Sequence, residues 1–557
     1  MKKTFDMKIK SLNILYILLP VVTGMLLNVS CKKDNEGGEL RMFMPSGDIK
    51  ATSTETYVAL SWNASLYTKS TDKSVTYTVQ VSKDSLFNTV ERTYITDTTG
   101  VKVTQDSIPA RKKYYARVKT NSKDNSPESN WVTSSSFKIT GEQIFYTLRE
   151  TEIKDVSVTL RWIITSGVTK VVFTPATGAA IESTITAAES SAGVKVVTGL
   201  TAGTTYDVEI YAGTNSKGYL TFTTVASTAF TVLITPTDNL VTVLDTCSNN
   251  AVIGLQPGIY SAGTSNYVIK QKTVTIRSVS GNPSDTKVNW KEFTLKGTGA
   301  GVRMQDIEFD GLASAGAYFL NFTGLNSDAE AATFTTVEVN NCIIHNMGNC
   351  LLRANRGAAG DHKISLIKFR NCVVYDVLMT AAYTLFTVDK LLFTKMDISN
   401  STFYNVGQSF ISYNTANLAS PVPVAVVDGC TINYLGANSK YVLIDANTNP
   451  IDFTMQNSIL ANSPRTGASV QNQVFRGTAA GTAMNFSYNN TFALNNATSG
   501  TIAALTYPSY SYLTMTSNRT IDLGWTSTTT DFTLPVGSDL RTGGKTGGPI
   551  GDPRWAY

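Results

Sequence analysis

At 557 residues the chain is long enough for several domains, and only 16% of its residues are charged, which is typical of an extended β-protein. The formal net charge of +5 is small for this length and comes partly from lysines near the start, so nucleic-acid binding is not indicated. Histidine occurs only at His345 and His362, which argues against zinc catalysis and against a histidine-dependent triad.

The first 31 residues have the pattern of a secretion signal. Four lysines within the first ten residues precede an apolar run from Leu12 to Leu27, and Leu-Asn-Val-Ser-Cys ends at Cys31. The last five residues resemble the cleavage box of bacterial lipoproteins. The resemblance implies a signal peptide over residues 1–31 and a lipid on Cys31 that anchors the protein to a membrane. The alternative is a secreted protein in which Cys31 has no such role.

Residues 32–45 begin Lys-Lys-Asp-Asn-Glu-Gly-Gly-Glu and are predicted to form a polar tether. This segment resembles the acidic tether that follows the lipidated cysteine in surface lipoproteins of Bacteroidota. The resemblance implies a protein anchored in the outer membrane and facing the cell exterior. Other outer-membrane proteins are then candidate partners.

Residues 46–140 are predicted to form a β-sandwich. Alternating apolar strands separated by turn signals include a strand that ends at Trp62 and a later strand, YYARVKT, that begins at Tyr114. The stretch resembles a fibronectin type III domain along its whole length. Trp62 and Tyr115 are therefore interpreted as core residues.

Residues 142–225 repeat this scheme and are predicted to form a second sandwich. One strand ends at Trp162, and Leu200, Gly203 and Tyr206 stand where fibronectin type III domains place their Leu-x-x-Gly-x-x-Tyr corner. Trp162 and Tyr206 are accordingly interpreted as core residues. Neither sandwich contains a catalytic constellation.

Residues 226–557 contain a short motif that recurs about every thirty residues. Its central Asn or Gly falls at positions 341, 371, 400, 429 and 457, so the spacings are 30, 29, 29 and 28. Each copy has alternating apolar residues, an interrupting residue that tolerates a left-handed backbone, and a second alternating run. Because one copy cannot bury its apolar face alone, the period predicts a solenoid, and the alternation predicts a parallel β-helix.

The start and end of this region carry a family resemblance. Pro-Gly-Ile-Tyr at Pro257 to Tyr260 resembles the opening turn of pectin-lyase-like β-helices, which are right-handed. Gly547 to Trp555 resembles the closing segment of uncharacterised Bacteroidota lipoproteins that couple fibronectin-like modules to such a solenoid. The predicted fold is therefore all-β, with two fibronectin type III-like sandwiches followed by a right-handed parallel β-helix.

Three cysteines share one position of the repeat. Cys342, Cys372 and Cys430 occupy a place that Ser401 and Ser458 fill in other coils. A position that accepts Cys or Ser is a small inward position, so these residues are predicted to be buried free thiols and not disulfides or metal ligands.

Residues at equal positions of stacked coils form columns, because neighbouring parallel strands lie about 4.8 Å apart. The bend column resembles the asparagine ladder of pectate lyases, and amides that join coil to coil would make it structural. Its members are Asn341, Asn371, Asn400, Gly429 and Asn457.

A second column lies four residues after the bend and is predicted to point outward, because the preceding apolar residue of each coil points inward. Stacked rings there offer flat faces to sugars, so Tyr375 and Tyr404 are candidate substrate-binding residues. The alternative is that a loop covers both tyrosines. The members are His345, Tyr375, Tyr404, Asn433 and Ala461.

A third column follows the next turn, on the strand that lines the substrate cleft of pectate lyases. Aligning the coils places Arg353, Phe386, Ser412, Asp445 and Arg476 in one outward row. A parallel row contains Asn355, Val388, Asn414, Asn447 and Thr478. Arginine binds carboxylates bidentately and asparagine binds hydroxyls, which suits an acidic, uronate-containing polysaccharide. The predicted substrate-binding residues of these rows are Arg353, Asn355, Ser412, Asn414, Asp445, Asn447 and Arg476.

Three functions remain open. The favoured one is a surface protein that binds polysaccharide along this face. The second is a lyase that abstracts the proton beside a uronate carboxylate, with Arg353 or Arg356 as base and Ca²⁺ bound by Asp445, Asp361 and Asp389. The third is a non-catalytic adhesin or structural surface protein. The paired aspartates and Gly-His-Gly motif of polygalacturonases are missing, so hydrolysis of that type is disfavoured.

Overall fold

The structure is a computed structural model that describes residues 41–66, 68, 74–123, 126–377, 383–415, 418, 421–436, 441–465, 473–496 and 503–557. The predicted signal peptide, Cys31 and most of the tether lie outside the described residues. No described helix is long and apolar enough to cross a membrane. The chain forms two compact units. The first unit contains the described residues up to Phe145, Trp162–Gly193 and Asp207–Thr221. The second unit contains Tyr146–Arg161, Val194–Tyr206 and Phe222–Tyr557.

The first sandwich consists of two antiparallel sheets in the first unit. One has the order β1 (Pro45–Ser53), β2 (Tyr57–Ser65), β5 (Gly100–Thr104). The other has the order β4 (Arg92–Thr96), β3 (Tyr77–Ser82), β6 (Tyr115–Thr120), β7 (Val132–Thr133).

Aromatic residues fill the core of this sandwich. Trp62 is buried and meets Tyr77 edge to face, with ring centroids 5.5 Å apart. The prediction for Tyr115 was wrong by one position: Tyr114 is fully buried, and Tyr115 is half-buried. Strand alternation explains the error, since adjacent residues face opposite sides of a sheet.

The second stretch supplies two further antiparallel sheets. The two-stranded sheet, β8 (Ser157–Arg161) with β11 (Val194–Thr198), lies in the second unit. The four-stranded sheet lies mostly in the first unit and has the order β10 (Ile181–Thr184), β9 (Val168–Pro175), β12 (Thr205–Ala212), β13 (Asn215–Thr223). A short helix, α1 (Ala187–Ala192), follows β10. Trp162 and Tyr206 are buried as predicted, and the Tyr206 hydroxyl accepts a hydrogen bond from the Thr201 N–H at 2.9 Å.

The solenoid is built from three parallel sheets. Sheet A contains β14 (Val232–Ile234), β15 (Val252–Leu255), β18 (Thr273–Ser278), β21 (Gly301–Gln305), β24 (Ala332–Asn340), β27 (His362–Arg370), β30 (Leu392–Ser399), β33 (Val424–Asp428), β36 (Asp452–Gln456), β39 (Ala483–Ser487) and β43 (Leu513–Thr514). Sheet B contains β16 (Gly258–Ser261), β19 (Thr286–Asn289), β22 (Glu308–Asp310), β25 (Ile343–Met347), β28 (Val373–Val377), β31 (Thr402–Val406), β34 (Thr431–Leu435), β37 (Ile459–Ala461) and β40 (Asn490–Phe492). Sheet C contains β17 (Tyr267–Lys270), β20 (Glu292–Lys296), β23 (Tyr318–Thr323), β26 (Cys350–Arg353), β29 (Phe386–Thr387), β32 (Ile411–Ser412), β35 (Ile444–Asp445) and β38 (Phe475–Arg476).

Two smaller features flank the coils. Helix α2 (Leu240–Thr246) precedes β15, and its buried Leu240 and Leu244 join the solenoid core. A short antiparallel pair, β41 (Asn495–Asn496) and β42 (Ala503–Ala504), lies near the last coil. The predicted fold class, an all-β chain of sandwiches followed by a parallel β-helix, is confirmed.

The solenoid core contains the shared cysteine position. Cys342, Cys372 and Cys430 are buried and free, so the prediction of inward thiols is confirmed. Burial raises the pKa of the Cys372 thiol to about 12. In other coils Ser401 and Ser458 donate hydrogen bonds to the carbonyl oxygens of Ser399 and Gln456, as the Cys372 thiol does to that of Arg370.

The bend between sheets A and B is left-handed at every predicted position. Asn341, Asn371, Asn400, Gly429 and Asn457 have φ between 49° and 61°. The amides do join neighbouring coils, but their partners are not always the bend residue below. Asn371 donates to the Asn340 side chain at 3.0 Å, and Asn457 donates to Asp428 at 2.8 Å.

A second left-handed column, which the sequence analysis missed, lies near the end of the sheet B strands. Asn346, Asp376 and Asn405 have φ of 60°, 54° and 54°, and Tyr434 and Asn462 continue the column with φ of 66° and 47°. The Asn405 amide donates to Asp376 at 2.5 Å, which ties one coil to the next. This column forms the corner between sheets B and C.

The last part of the chain, residues 521–557, packs back against sheet B and is called here the C-terminal strap. Trp555 donates its indole N–H to the Thr402 hydroxyl at 2.8 Å, and Thr402 donates to the Asp552 carboxylate at 2.7 Å. The Asp552 N–H donates to Thr431 in the next coil at 3.0 Å. Further along, Arg554 donates to the Asn371 carbonyl at 2.6 Å. The strap therefore crosses several coils and holds them together.

Candidate functional site

The outward row of sheet C contains the predicted residues, with one exception. Strand pairing places Arg353 beside Thr387, Thr387 beside Ser412, Ser412 beside Asp445, and Asp445 beside Arg476. Phe386 is not in this row: it is fully buried and pairs with Leu352 and Ile411. The alignment of that coil was wrong by one residue, and side chains alternate along a strand, so Thr387 takes the place of Phe386 in the row. Thr387 is also buried, and its hydroxyl donates to the Thr384 carbonyl at 2.8 Å.

The parallel row requires the same correction in the same coil. Val388 is fully buried, and Asp389 is the half-buried residue next to it. Asn355, Asn414 and Asn447 are half-buried. The Asp389 carboxylate accepts hydrogen bonds from the Ser412 hydroxyl and from the Asn414 N–H, the latter at 2.9 Å. Asp389 therefore stabilises the turn after β32.

Arg476 and Asp445 neutralise each other. The Arg476 guanidinium donates through Nε and Nη2 to the two Asp445 oxygens, at 2.9 and 2.8 Å, which is the bidentate geometry of a strong ion pair. The hydrogen bond to Asp445 raises the pKa of Arg476. Asn414 also donates to Asp445, at 3.3 Å. Arg476 is therefore already occupied by a carboxylate of its own chain.

Arg353 has a different environment. Its guanidinium carbon lies 4.6 Å from the ring centroid of Tyr318 and 4.7 Å from that of Tyr383, and the two rings meet edge to face at 5.4 Å. Its one hydrogen bond to a described side chain is a long one, from Nε to Asn355 at 3.4 Å. Among the described residues, Arg353 has no carboxylate within salt-bridge distance. The arrangement of Tyr318, Arg353 and Tyr383 is called here the arginine clamp.

The residues predicted for lyase chemistry are dispersed. Arg356 forms an ion pair with Asp328, with 2.5 Å between nitrogen and oxygen. Asp361 accepts a hydrogen bond from the Ala358 N–H at 2.6 Å and so closes its own loop. Within the described part of the chain, Asp361, Asp389 and Asp445 do not form a group with ligand atoms within 4.8 Å of one another. The geometry does not assemble the predicted calcium site.

A group of potential metal ligands does occur on sheet B. Atoms of Glu308, Asp310 and His345 lie within 4.8 Å of one another. The Lys287 ammonium lies 2.8 Å from Glu308 and 3.6 Å from Asp310, so a cation of the chain itself already balances these carboxylates. The hydrogen bond with Glu308 raises the pKa of Lys287. We interpret this group as an internal charge network.

The aromatic column on sheet B is stacked as predicted but is partly covered. His345, Tyr375 and Tyr404 stack with centroids 4.7 and 4.9 Å apart and nearly parallel rings. Phe532 of the C-terminal strap packs on Tyr404, with centroids 5.6 Å apart. The next two members of the column, Asn433 and Ala461, are fully buried. Tyr375 and Tyr404 are half-buried, and the strap covers Tyr404, so the column is only partly open. The role of the two tyrosines in substrate binding stays a prediction.

Tyr318 and Tyr383 were not predicted to be part of the site. Tyr318 begins a strand of sheet C, and Tyr383 lies just before β29. Their positions relative to Arg353 depend on coils more than thirty residues apart. The available signal was a pair of tyrosines at the entry to sheet C strands, one coil on either side of Arg353.

Comparison with known proteins gives little functional guidance. Residues 258–406 match the model of a domain of unknown function, DUF4957, which covers less than half of the chain. No curated protein matches the sequence.

Two solved structures resemble the chain in part, and both consist of fibronectin type III domains, the family that the sequence analysis named for residues 46–225. The FN1–FN3 domains of chicken CNTN1 are 12% identical, with a TM-score of 0.15, and the match covers 33% of this chain and 68% of that one. A two-domain fibronectin type III segment of chicken tenascin is 15% identical, with a TM-score of 0.18, and the match covers 32% and 97%. Neither likeness carries an argument about function.

Proposed function

We propose that the protein binds polysaccharide at the cell surface, with the arginine clamp on sheet C as the anchoring site. One observation carries the proposal: a guanidinium without a carboxylate partner among the described residues lies against two half-buried tyrosine rings, which also contact each other. A cation of this kind attracts an anionic group, and the ring faces suit the C–H surfaces of a sugar. The combination fits a sugar that carries a carboxylate or a sulfate.

The two arginines of the row support an acidic ligand differently. Arg353 can donate two parallel hydrogen bonds to a carboxylate through its two terminal nitrogens, because its hydrogen bond to Asn355 uses Nε. Arg476 can do so only if it releases Asp445, which would leave a partly buried carboxylate unpaired. Arg353 is therefore the proposed anchor, and Arg476 is a positioning residue.

The polar row beside the clamp extends the surface. Ser412, Asn414 and Asn447 lie half-buried on the same face and carry hydroxyl or amide groups that suit the hydroxyls of a sugar. Uronate-containing glycans are the proposed ligand class. A lyase with Arg353 or Arg356 as base remains the alternative activity, and a non-catalytic adhesin is the second alternative.

The cellular setting is also proposed from the sequence pattern. Lysines, an apolar run and a small residue before Cys31 support export and lipidation. The polar stretch that follows supports an outer-membrane lipoprotein displayed outward. A glycan-binding solenoid on a lipid anchor would hold polysaccharide close to the cell, where outer-membrane partners could receive it.

The test uses the chain from residue 32 onward, which retains every described residue. Retention on uronate, sulfated and neutral glycan gels is measured for the wild type, for Arg353→Ala and for Arg303→Ala. Arg303 is the matched control because it is an exposed arginine on sheet A that already pairs with Glu338. We expect Arg353→Ala to reduce retention on acidic gels at least about tenfold, which corresponds to one strong charge-assisted contact.

Two results would contradict the proposal. Equal retention of the wild type and Arg353→Ala would show that the clamp does not bind glycan. Absence of retention on every gel would remove the function itself. Ultraviolet absorbance of the unsaturated product, followed with and without calcium, tests the lyase alternative on the same samples.

A further inference from the structure

Sheet C divides into two halves of different charge, and the arginine clamp lies at the boundary between them. The first four strands, β17, β20, β23 and β26, contain the charged residues Lys270, Glu292, Lys296 and Arg353. The next four, β29, β32, β35 and β38, contain only Asp445 and Arg476, which form an ion pair. The first half therefore carries three cations against one carboxylate, whereas the second half is neutral.

Two of these cations face each other on neighbouring strands. Lys270 ends β17, Lys296 ends β20, and the two residues are direct partners in the parallel pairing. Both side chains point out of the solenoid, because Ile269 and Leu295, the residues before them, are fully buried. Lys270 is exposed and Lys296 is half-buried. Like charges directly opposite each other destabilise a sheet, so this pair opposes folding.

Neither lysine has a partner in the part of the chain that the structure describes, since no hydrogen bond or ion pair there involves either ammonium group. Lys272, two residues after Lys270, provides a contrast. Its ammonium donates to the carbonyl oxygens of Asp245 and Cys247, both at 2.8 Å. Lys272 therefore binds the C-terminal end of α2, whereas the ammonium groups of Lys270 and Lys296 are available to a ligand.

The one carboxylate in this half of the sheet does not neutralise the lysine pair. The Oε1 atom of Glu292 accepts three hydrogen bonds. The donors are the Asn321 amide at 2.9 Å, the Thr294 hydroxyl at 2.6 Å and the Asn266 amide at 3.4 Å. Glu292 begins β20 and Lys296 ends it, so their Cα atoms lie about 13 Å apart along an extended strand.

The lysine pair and the clamp lie in adjacent outward rows of the same face. Asn321 pairs with both Thr294 and Arg353, and Lys296 comes two residues after Thr294. Three steps between neighbouring strands separate β17 from β26, a distance of about 14 Å. One pyranose ring of an extended glycan is about as long as one step. A four-ring glycan that is bound at Arg353 and follows the stacking direction therefore reaches Lys270.

The opposite direction does not suit an acidic chain. Beyond Arg353 the outward rows contain the carboxylates of Asp389 and Asp445, and Arg476 already donates two hydrogen bonds to Asp445. An anionic ring over this half meets like charge, whereas an anionic ring over β20 or β17 meets an unpaired ammonium group. The hydroxyl and amide groups of the second half suit neutral rings.

We infer that Lys270 and Lys296 form a second anion-binding subsite, and that a glycan held by the arginine clamp runs from Arg353 toward the first strand of sheet C. The ligand carries an anionic group, a carboxylate or a sulfate, on consecutive rings. This rests on the proposed function and specifies the ligand and its direction. The repulsion between the two lysines is relieved when anionic groups bind.

The first test measures the Kd of oligouronates of two, four and six rings by calorimetry, on the chain from residue 32. We expect affinity to rise at least about tenfold from two to four rings, because the added rings reach the lysines as an intramolecular extension. It should rise less than about twofold from four to six rings, since sheet C begins at β17.

Two further ligand series test the role of charge. A four-ring oligomer with one terminal uronate and three neutral rings should bind about as weakly as the two-ring uronate, because it brings no anionic group to the lysines. Sulfated oligomers of two, four and six rings are measured in parallel. The series with the larger gain from two to four rings identifies the anionic group of the ligand.

Lysine variants locate the subsite. A protein with both Lys270→Gln and Lys296→Gln should lose the gain from two to four rings and keep two-ring affinity within about twofold. Its melting temperature should stay the same or rise, because like-charge repulsion is removed. Replacing both lysines by arginine should retain the gain. Lys363→Gln is the matched control and should leave the gain unchanged, because Lys363 is exposed and without an ion pair among the described residues but lies on sheet A.

The outcomes separate this inference from the proposed function. If two-ring oligomers bind but length adds nothing in either series, the lysines are not a subsite and the clamp remains. The inference also fails if the double glutamine variant retains the gain, or if Lys363→Gln removes it. If the double variant melts at a lower temperature, the two kinds of four-ring oligomer decide on the wild type, and equal affinities overturn the inference. If no oligomer binds at any length, both proposals fail.

Discussion

Sheets B and C of the solenoid have the same repeat, and both were expected to present a stacked outward column, yet the structure treats the two faces differently. On sheet B the His345, Tyr375 and Tyr404 rings stack on one another, and Phe532 of the C-terminal strap packs on Tyr404. On sheet C the arginine clamp has no such cover among the described residues. A repeating column is therefore accessible to a ligand only where the rest of the chain leaves it open.

The charged side chains of the two faces also have different partners. On sheet B, Lys287 balances Glu308 and Asp310, and His345 accepts or donates within the same network, 3.1 Å from Glu308. On sheet C, Asp445 forms an ion pair with Arg476, whereas Arg353 contacts two aromatic rings. Charges that are satisfied internally stabilise the coil, whereas an unsatisfied one is available to a ligand. Four measurements test this contrast.

The largest expected effect comes from removing the cover on sheet B. Trp555→Ala deletes the hydrogen bond to Thr402. It also removes the packing of Trp555 against Phe532, whose ring centroids lie 5.7 Å apart. We expect the free energy of unfolding of the second unit to fall by about 3 kcal/mol, typical for loss of a large packed ring. Trp131→Ala in the first sandwich is the matched control and should lower only the first unit's transition. Denaturant unfolding checks both, and an unchanged second unit would show that the strap is not structural.

The next largest effect compares one tyrosine from each face. Tyr404→Ala removes a ring held between Tyr375 and Phe532 and should cost about 2 kcal/mol of stability, with glycan retention unchanged. Tyr383→Ala should cost less than about 1 kcal/mol and reduce retention on acidic glycan severalfold. Thermal melts and gel retention measure both. Equal loss of retention in the two variants would make sheet B part of the binding face.

A smaller effect should appear as pH dependence at the strap. Burial raises the pKa of Asp552 above 3.8 in the folded protein, so folding favours the protonated acid. The stability that protonated Asp552 contributes is fully present below the pKa of Asp552 in the unfolded chain. It is lost as the pH rises through the pKa of Asp552 in the folded protein. Relative to Asp552→Asn, the wild type should therefore lose stability between about pH 4 and pH 7. Urea unfolding of both proteins at the two pH values checks this. If the wild type instead gained stability relative to Asp552→Asn as the pH rises, the strap would stabilise the Asp552 carboxylate.

The smallest effect is expected inside the wall that both faces share. Burial raises the pKa of Cys342, Cys350, Cys372 and Cys430, so these thiols should not react with a disulfide reagent near pH 8. Cys247 is only partly buried and should react, which provides the internal control. Counting the thiolate that the reagent releases in native and in denatured samples measures the difference. Rapid reaction of the four buried thiols would show that the coils open readily.

Much of the fold could be predicted because its signals are local. The recurring Asn at 341, 371 and 400 predicted both the left-handed bend and the coil length, since few residues tolerate positive φ. The repeat position that holds either Cys or Ser was correctly predicted to face the interior of the solenoid. The second left-handed column was missed because it contains Asp376 and Tyr434 as well as asparagines, so no single residue type marks it.

The site was less predictable than the fold. Arg353, Ser412 and Asp445 share a row as the repeat suggested, but Phe386 and Val388 had to be replaced by Thr387 and Asp389. A one-residue shift in the alignment of β29 exchanges the two faces of the strand. The partners of Arg353 could not be predicted at all, because Tyr318 and Tyr383 come from other coils.

The repeat, the bend and the inward small residues follow from the sequence alone, because each depends on backbone preference and burial within one coil. Which ring is covered and which arginine has a carboxylate partner become visible only in the folded chain. Those features depend on contacts between coils and on the return of the strap to sheet B. Such contacts join residues tens to more than a hundred positions apart, and no local pattern records them.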